Sequence, residues 1–217
     1  MNSPTALDIV LLGPPGAGKG TQAAQLKRRC RIPHISTGEM LRAAIQTGSA
    51  LGVQLKHVIE SGGLIDDETI TRLVFDRLQQ PDTAAGFLLD GYPRTIPQAQ
   101  SLDQFLQPRQ LTIVEIALSE EEVLHRLASR LVCSECGTNA QDTSANPSCH
   151  NCGGQFVSRA DDAEQVVRNR LTVYRRQTQP LVEYYDGRPT FHRVNGAQLA
   201  DDVTADILRA IDSRSLD

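Results

Sequence analysis

Asp8-Ile-Val-Leu-Leu-Gly-Pro-Pro-Gly-Ala-Gly-Lys-Gly-Thr21 is the stretch that decides the fold. Ile9 to Leu12 are apolar without interruption, Gly13 ends the run, and a helical pattern follows as far as Arg29. A run that is apolar at every position suits a strand buried on both faces, as in parallel sheets. Glycines between strand and helix let backbone N–H groups converge on phosphate oxygens, and the helix N-terminus adds a favourable field. Gly16, Ala17, Gly18, Lys19, Gly20 and Thr21 therefore read as a nucleotide-phosphate loop, with Lys19 reaching the β- and γ-phosphates. One position departs from the general pattern. Gly20 stands where a magnesium-ligating Ser or Thr normally follows the lysine, and Thr21 comes one place later. Magnesium is then expected to be held largely through water, with Asp90, at the end of a later apolar run, as its acidic anchor. A simple cap on the following turn is the other reading of Asp90.

Outward from this loop, strand and helix patterns alternate. Strands are expected at 8–12, 34–36, 87–90, 111–118 and 190–195. Ser36-x-x-Glu39 and Ser119-x-x-Glu122 read as capping boxes that open helices. Gly48, Gly52, Gly62 and Gly63 punctuate the helices that run to about Ser61, and Asp66 or Asp67 starts another that reaches Gln80. Residues 98–106 and 201–211 are helical, and 161–185 should be one helix bent at Pro180. The result is an α/β fold, a five-stranded parallel sheet flanked by helices. Residues 132–160 break the pattern with Cys, Gly, Asn, Ser and Thr and almost no apolar periodicity, so they are expected to form an inserted lid.

Composition narrows the function classes. The chain has 217 residues, 40% hydrophobic, with 22 basic against 26 acidic side chains and a formal charge of −4. No basic stripe marks a general nucleic-acid binder. No apolar run is long enough for a membrane span, and the first residues lack signal-peptide character, so the cytoplasm is the expected compartment. Lys19, Lys27 and Lys56 are the lysines, and every other basic residue is arginine, the side chain suited to bidentate phosphate contacts.

Four of the five cysteines form two knuckles, Cys133-Ser-Glu-Cys136-Gly and Cys149-His-Asn-Cys152-Gly. In a cytosolic chain this spacing points to a closed, structural Cys₄ zinc site before redox disulfides or free thiols. His150 is a competing ligand, and Cys30 reads as an idle helix thiol.

These segments together resemble the adenylate kinase family, of the bacterial-like long form with a zinc lid. The phosphate loop with its Gly20-Thr21 departure, Ile35-Ser-Thr-Gly-Glu-Met-Leu-Arg42, Phe87-Leu-Leu-Asp-Gly-Tyr-Pro-Arg-Thr95, Arg159-x-Asp-Asp162 and Arg168-Asn-Arg170 occur in family order from about Asp8 to Ile211. The resemblance implies a P-loop nucleoside-monophosphate-kinase fold, with residues 1–131 and 161–217 as core, 36–65 as monophosphate-binding segment and 132–160 as zinc-binding lid. It implies reversible phosphoryl transfer from MgATP to AMP, giving two ADP, by an enzyme expected to be monomeric. It also implies the roles of individual residues. Lys19, Arg94, Arg126, Arg130, Arg159 and Arg170 would be catalytic. AMP would meet Thr37, Arg42, Gly63, Leu64, Ile65, Gly91, Arg94, Gln98, Arg159 and Arg170. ATP would meet the phosphate loop, Arg126, Arg130 and the carbonyl of Gln198. Gln98, whose amide suits the adenine edge, would otherwise be a polar residue on an exposed helix face. Arg168, Arg175 and Arg176 read as solvated.

Two departures from the family pattern stand out. Ala140-Gln141 replaces a Tyr-His pair that lies against the donor base, and Leu131 replaces an arginine beside Arg130. A same-fold kinase preferring GTP as donor is therefore one rival reading. The other is a zinc-ribbon switch protein that hydrolyses nucleotide and binds nucleic acid or a partner. The net charge and the segment around Arg42 argue against the latter.

Overall fold

The structure, a computed structural model, describes residues 6–48, 50–61, 63–140 and 148–212. Gly62 and Gln141, both named above, lie outside them. Strands β1 (Leu7–Leu12), β2 (His34–Ser36), β3 (Gly86–Asp90), β4 (Leu111–Ala117) and β7 (Phe191–Asn195) form one parallel sheet in the order β2-β3-β1-β4-β7. Between β4 and β7 the chain makes a separate antiparallel pair, β5 (Leu131–Cys133) with β6 (Phe156–Ser158). Helices α1 (Lys19–Cys30), α2 (Thr37–Gln46), α3 (Ala50–Glu60), α4 (Asp67–Leu78), α5 (Ile96–Leu106), α6 (Glu120–Ala128), α7 (Glu164–Val173), α8 (Pro180–Tyr185) and α9 (Ala200–Asp212) complete the chain. None of the described helices is long and apolar enough to cross a membrane.

The uninterrupted apolar runs work as expected, because successive side chains face opposite sides of the sheet and both sides are covered. Val10, Leu12, Phe87, Leu89 and Ile113 pack with Ile70 and Val74 of α4, Leu102 of α5, and Leu181 and Tyr185 of α8. Ile9, Leu11, Leu88, Val114 and Ile116 pack with Leu26 of α1 and Ile207 of α9 on the other side. A smaller cluster, Val123, Leu127, Val167 and Leu171, joins α6 to α7.

Helix starts follow the capping signals. Ser36 Oγ accepts from Glu39 N at 3.4 Å, and Ser119 Oγ accepts from Glu122 N at 3.3 Å. Asp66, rather than Asp67, caps α4, accepting from Thr69 N at 2.8 Å, which leaves the Asp67 carboxylate for other partners.

The expected single helix over 161–185 is broken up. A 3₁₀ turn covers Ala160–Asp162, α7 starts at Glu164, and a π turn spans Tyr174–Thr178 before Pro180 opens α8. Pro180 has no N–H to donate back into the preceding turn, so the ladder is reset upstream of it, with Gln179 N reaching Tyr174 O at 2.8 Å. The distortion therefore precedes the proline.

Register brings the carboxyl ends of the strands together. Ser36 lies beside Asp90, and Asp90 beside Leu11. β1 leads to one edge of the sheet and β4 to the other, so a crevice opens where the chain diverges, the usual ligand position in such sheets.

Candidate active site

The loop between β1 and α1 folds back over the sheet end. Gly16 and Gly18 take φ values of 81° and 88°, which non-glycine residues rarely adopt, and Gly18 caps α1 with no side chain over the helix N-terminus. The first turn of α1 carries no acid, so its free N–H groups face an open anion position. Lys19 Nζ donates to the carbonyls of Gly13 and Pro14, each at 2.8 Å, and is thereby folded onto its own loop. Burial pushes its pKa from the ordinary 10.5 down to about 8; Asp90 opposes the shift, and Arg94, Arg170 and Arg130 add to it.

Asp90 ends β3 beside this lysine. Burial alone would favour its neutral form, but His34, Lys19 and Arg94 outweigh that and hold the carboxyl below its usual range. His34 Nε2 lies 3.7 Å from Asp90 Oδ2. The same oxygen faces Gly20, where an added Cβ would sit 3.9 Å away. A half-buried, charged carboxylate against the start of α1 is a donor of the right kind for magnesium carried on a nucleotide.

A cavity of about 160 Å³ opens between this sheet end, α2, α4, α5 and α7. Of the sequence-predicted residues it brings together Lys19, Thr37, Arg42, Gly63, Leu64, Ile65, Gly91, Arg94, Gln98, Arg159 and Arg170. Gly16, Ala17, Gly18, Gly20, Thr21, Asp90, Arg126, Arg130 and Gln198 stand outside its lining. Gly91 has φ 87°, and a Cβ there would come within 2.6 Å of Thr37 Oγ1 and 3.1 Å of Arg94 Nη2, so only glycine fits between the two.

Burial lowers the pKa of Arg42 and Arg94, and that of Arg170 to about 10. Arg94 Nε donates to Gly91 O at 2.8 Å, and Arg42 has no hydrogen-bond or ion-pair partner among the described residues. Asp161 is the single carboxylate in the cavity lining. Such a surplus of half-buried cation calls for an anion.

Toward the antiparallel pair three arginines share two carboxylates. Arg130 holds Asp162 through Nε and Nη2 at 2.7 and 2.5 Å, and Arg159 holds Asp161 at 2.8 and 2.6 Å. Arg170 Nη1 bridges both, donating to Asp161 O at 2.9 Å and Asp162 Oδ1 at 3.2 Å. Arg126 stands apart: it donates to Glu122 at 2.7 Å and to Gly196 O at 2.9 Å, beside Gln198, whose own amide donates to Asp206 and to Asn195 O. Arg168 and Arg175 form exposed ion pairs with Glu164 and Glu120, as solvated side chains do.

Gln98 is buried and not on an exposed face. Its Oε1 accepts from Arg94 N at 2.7 Å, and its Nε2 donates to Asp67 Oδ1 at 2.6 Å. Thr37 donates its hydroxyl to Gly91 O at 3.0 Å. Asp67, Tyr174 and Thr178 escaped sequence reasoning. Thr178 Oγ1 donates to Arg94 O at 3.0 Å, and Asp67 meets Gln98 across 31 positions, a separation that no local motif announces.

In the inserted segment the four thiol sulfurs of Cys133, Cys136, Cys149 and Cys152 all lie within 4.8 Å of one another. Cys133 and Cys152 are 3.4 Å apart, and Cys136 and Cys149 3.6 Å. Zinc–sulfur bonds of 2.3 Å at tetrahedral angles give edges of about 3.8 Å, so the set fits one Zn²⁺. Both knuckles close the same way: Gly137 N donates to Cys133 O at 3.0 Å, and Gly153 N to Cys149 O at 2.8 Å. His150 is not among the clustered ligands. Cys30 stands alone at the end of α1, its thiol pKa raised by burial.

Comparison with known proteins agrees with this geometry. The sequence model of the family described as adenylate kinase matches residues 11–189. An adenylate kinase of Desulfitobacterium hafniense (strain DSM 10664 / DCB-2) is 43% identical over 210 residues, which cover 94% of this chain and 97% of that protein. One of Methanocella arvoryzae is 43% identical over 212 residues, covering 94% and 98%. One of Moorella thermoacetica is 45% identical over 210 residues, covering 94% and 97%. With the phosphate loop, the arginine-lined cavity and matches over nearly its whole length, the chain belongs to the adenylate kinase family of phosphotransferases.

Proposed function

We propose that the cavity receives AMP, that the phosphate loop receives MgATP, and that the chain transfers the γ-phosphoryl group reversibly between them, giving two ADP. The observation that carries this reading is the charge around one space: Lys19, Arg42, Arg94, Arg159 and Arg170 face it with Asp161 as their only carboxylate among the lining residues.

In this reading Arg42 and Arg94 take the AMP phosphate. Arg42 is free to do so without breaking a bond, and Arg94 is aimed by Gly91 O. Lys19 leaves the Gly13 and Pro14 carbonyls for the β- and γ-phosphates. The guanidinium groups of Arg130, Arg159 and Arg170, held by Asp161 and Asp162, still have unused N–H groups for the transferring group. Phosphoryl transfer asks chiefly for alignment and charge neutralisation, so no dedicated base is required beyond this set. Asp90 would hold the magnesium carried on the nucleotide through water, and the ion would supply positive charge to the phosphates. Arg126 and the carbonyl of Gln198 would meet the donor nucleotide. Residues 132–160 act as a lid held by structural Zn²⁺, bringing the hinge arginines onto phosphate when closed.

Thr37, Leu64, Ile65 and Gln98 form the acceptor-base wall. A pocket with polar groups aimed at one base edge rejects the wrong base by leaving those groups unpaired. A coupled assay of ADP formation with AMP, UMP, CMP and GMP in equal competition tests the assignment. AMP is expected to be used almost alone, and equal rates with either pyrimidine monophosphate would overturn it.

A further inference from the structure

Gln98 is expected to read the acceptor base, but an amide can present either of two faces. Rotated by a half turn it exchanges its carbonyl and its NH₂ with little change in shape. Adenine offers an acceptor at N1 and a donor at its 6-amino group. A 6-oxopurine offers the reverse, a donor at N1 and an acceptor at O6. A free Gln98 would serve both equally.

It is not free. Arg94 N is a donor only, and it takes Gln98 Oε1 at 2.7 Å. The Asp67 carboxylate, when ionised, is an acceptor only, and it takes Nε2 at 2.6 Å. A flipped amide would set its oxygen against the carboxylate and its NH₂ against the Arg94 N–H, losing both bonds and facing like against like. Asp67 is itself anchored: Thr95 Oγ1 donates to its other oxygen at 2.9 Å, and Gln98 N donates to the same Thr95 hydroxyl at 3.4 Å. The first turns of α4 and α5 thus close a ring of bonds around the amide. What remains to Gln98 is one N–H and one lone pair, in fixed order, at the wall of the cavity.

We propose that Asp67 is a specificity-determining positioning residue, whose carboxylate locks the Gln98 amide in the orientation that pairs with adenine and opposes a 6-oxopurine. The proposal rests on the reading that Gln98 meets the acceptor base. Asp67 acts through Gln98 and needs no contact with the nucleotide.

The test compares kcat/KM for AMP and for IMP, a 6-oxopurine monophosphate without a 2-amino group, in the wild type, Asp67→Ala, Asp67→Asn and Gln98→Ala. Asp67→Ala is expected to lower the AMP-to-IMP ratio by about tenfold or more, through a higher KM for AMP and a lower one for IMP. Asp67→Asn, which keeps the shape but can donate or accept, should lower the ratio by less. General loss of folding would depress both substrates together and leave the ratio alone, and the isosteric Asp67→Asn carries the test if Asp67→Ala does not fold. A ratio unchanged in both Asp67 variants, with Gln98→Ala collapsing it, overturns the lock and leaves Gln98 as the reader. A ratio unchanged in Gln98→Ala overturns the base-reading role and the lock with it.

Discussion

The phosphate loop and the inserted cysteine segment, the two walls of the proposed site, are organised by different chemistry. The phosphate loop hangs from β1, where Ile9 and Val10 are fully buried and Leu11 nearly so, between two helical layers. The inserted segment has two strands of three residues each, and among its described residues only Val132, Cys133 and Cys149 are buried. Charge divides them in the opposite way. At the sheet end Lys19 is desolvated with Asp90 as the carboxylate that opposes the shift, and Arg42 makes no ion pair among the described residues, whereas Arg130 and Arg159 at the hinge are each held by a carboxylate. The core is thus stable by apolar burial and electrostatically incomplete without ligand. The hinge arginines already hold carboxylates, and the inserted segment has few buried apolar residues among those described. In the proposed reading, substrate relieves charge at one wall and structural zinc holds the other together.

The sharpest break of that comparison is Lys19→Met. It removes a phosphate ligand while relieving a buried charge, so function and stability should move apart. Turnover is expected to fall by about 10²–10³-fold, the usual loss for a group that neutralises transition-state charge. Thermal stability should hold or rise, because a desolvated cation is replaced by an apolar side chain of similar length. Steady-state kinetics beside thermal melts measure both, and a variant keeping half its turnover would remove Lys19 from the chemistry.

Metal removal probes the opposite wall. Burying one side chain such as Val132 stabilises by about 1.5–3 kcal/mol, whereas structural zinc in small peptides contributes roughly 10–16 kcal/mol. Local folding of the lid and metal binding are therefore expected to be one equilibrium. Chelation, or Cys149→Ala, should lower the melting temperature and cut turnover several-fold through poor closure, while nucleotide still binds the phosphate loop. Metal analysis should find about one zinc per chain. Full stability in Cys149→Ala, or protein purified without chelator and free of metal, would contradict this account.

What the sequence made legible follows the same division. Strands 8–12, 87–90 and 111–118 are readable because burial on both faces leaves an unbroken apolar run, and the phosphate loop because its glycines and lysine sit in one short segment. The cysteine knuckles are readable for that reason too. The Asp67–Gln98 lock, the pairing of Arg130 with Asp162, and the exact break in the helix before Pro180 are not. The first two join residues 31 and 32 positions apart, which only the folded sheet brings together. The π turn is a compromise between a missing proline N–H and the packing of Leu171 and Leu181 on either side of it, and local periodicity carries neither constraint.

The smallest effect expected is a fraction of a proton, and it tests directly whether the core wall is electrostatically incomplete. Lys19 in the folded, ligand-free protein titrates at about 8, against 10.5 for an ordinary lysine. Below about pH 8 it is charged in both folded and unfolded chains, and the folded state carries the full cost of burying that charge. Between about 8 and 10.5 the unfolded lysine still holds its proton while the folded one has lost it. The unfolded state then binds more protons, and the Lys19 contribution makes stability rise with pH across that window. Phosphate oxygens at the loop should draw the pKa back up by supplying the missing negative charge. Nucleotide binding at pH 9 is therefore expected to take up most of one proton, and at pH 7 only about a tenth of one. Calorimetry in buffers of different ionisation enthalpy reads this uptake, and Lys19→Met should abolish the part that grows between pH 7 and pH 9. Equal uptake in the variant and the wild type would mean that Lys19 is already neutralised before substrate arrives, and the contrast between the two walls would fail at its central residue.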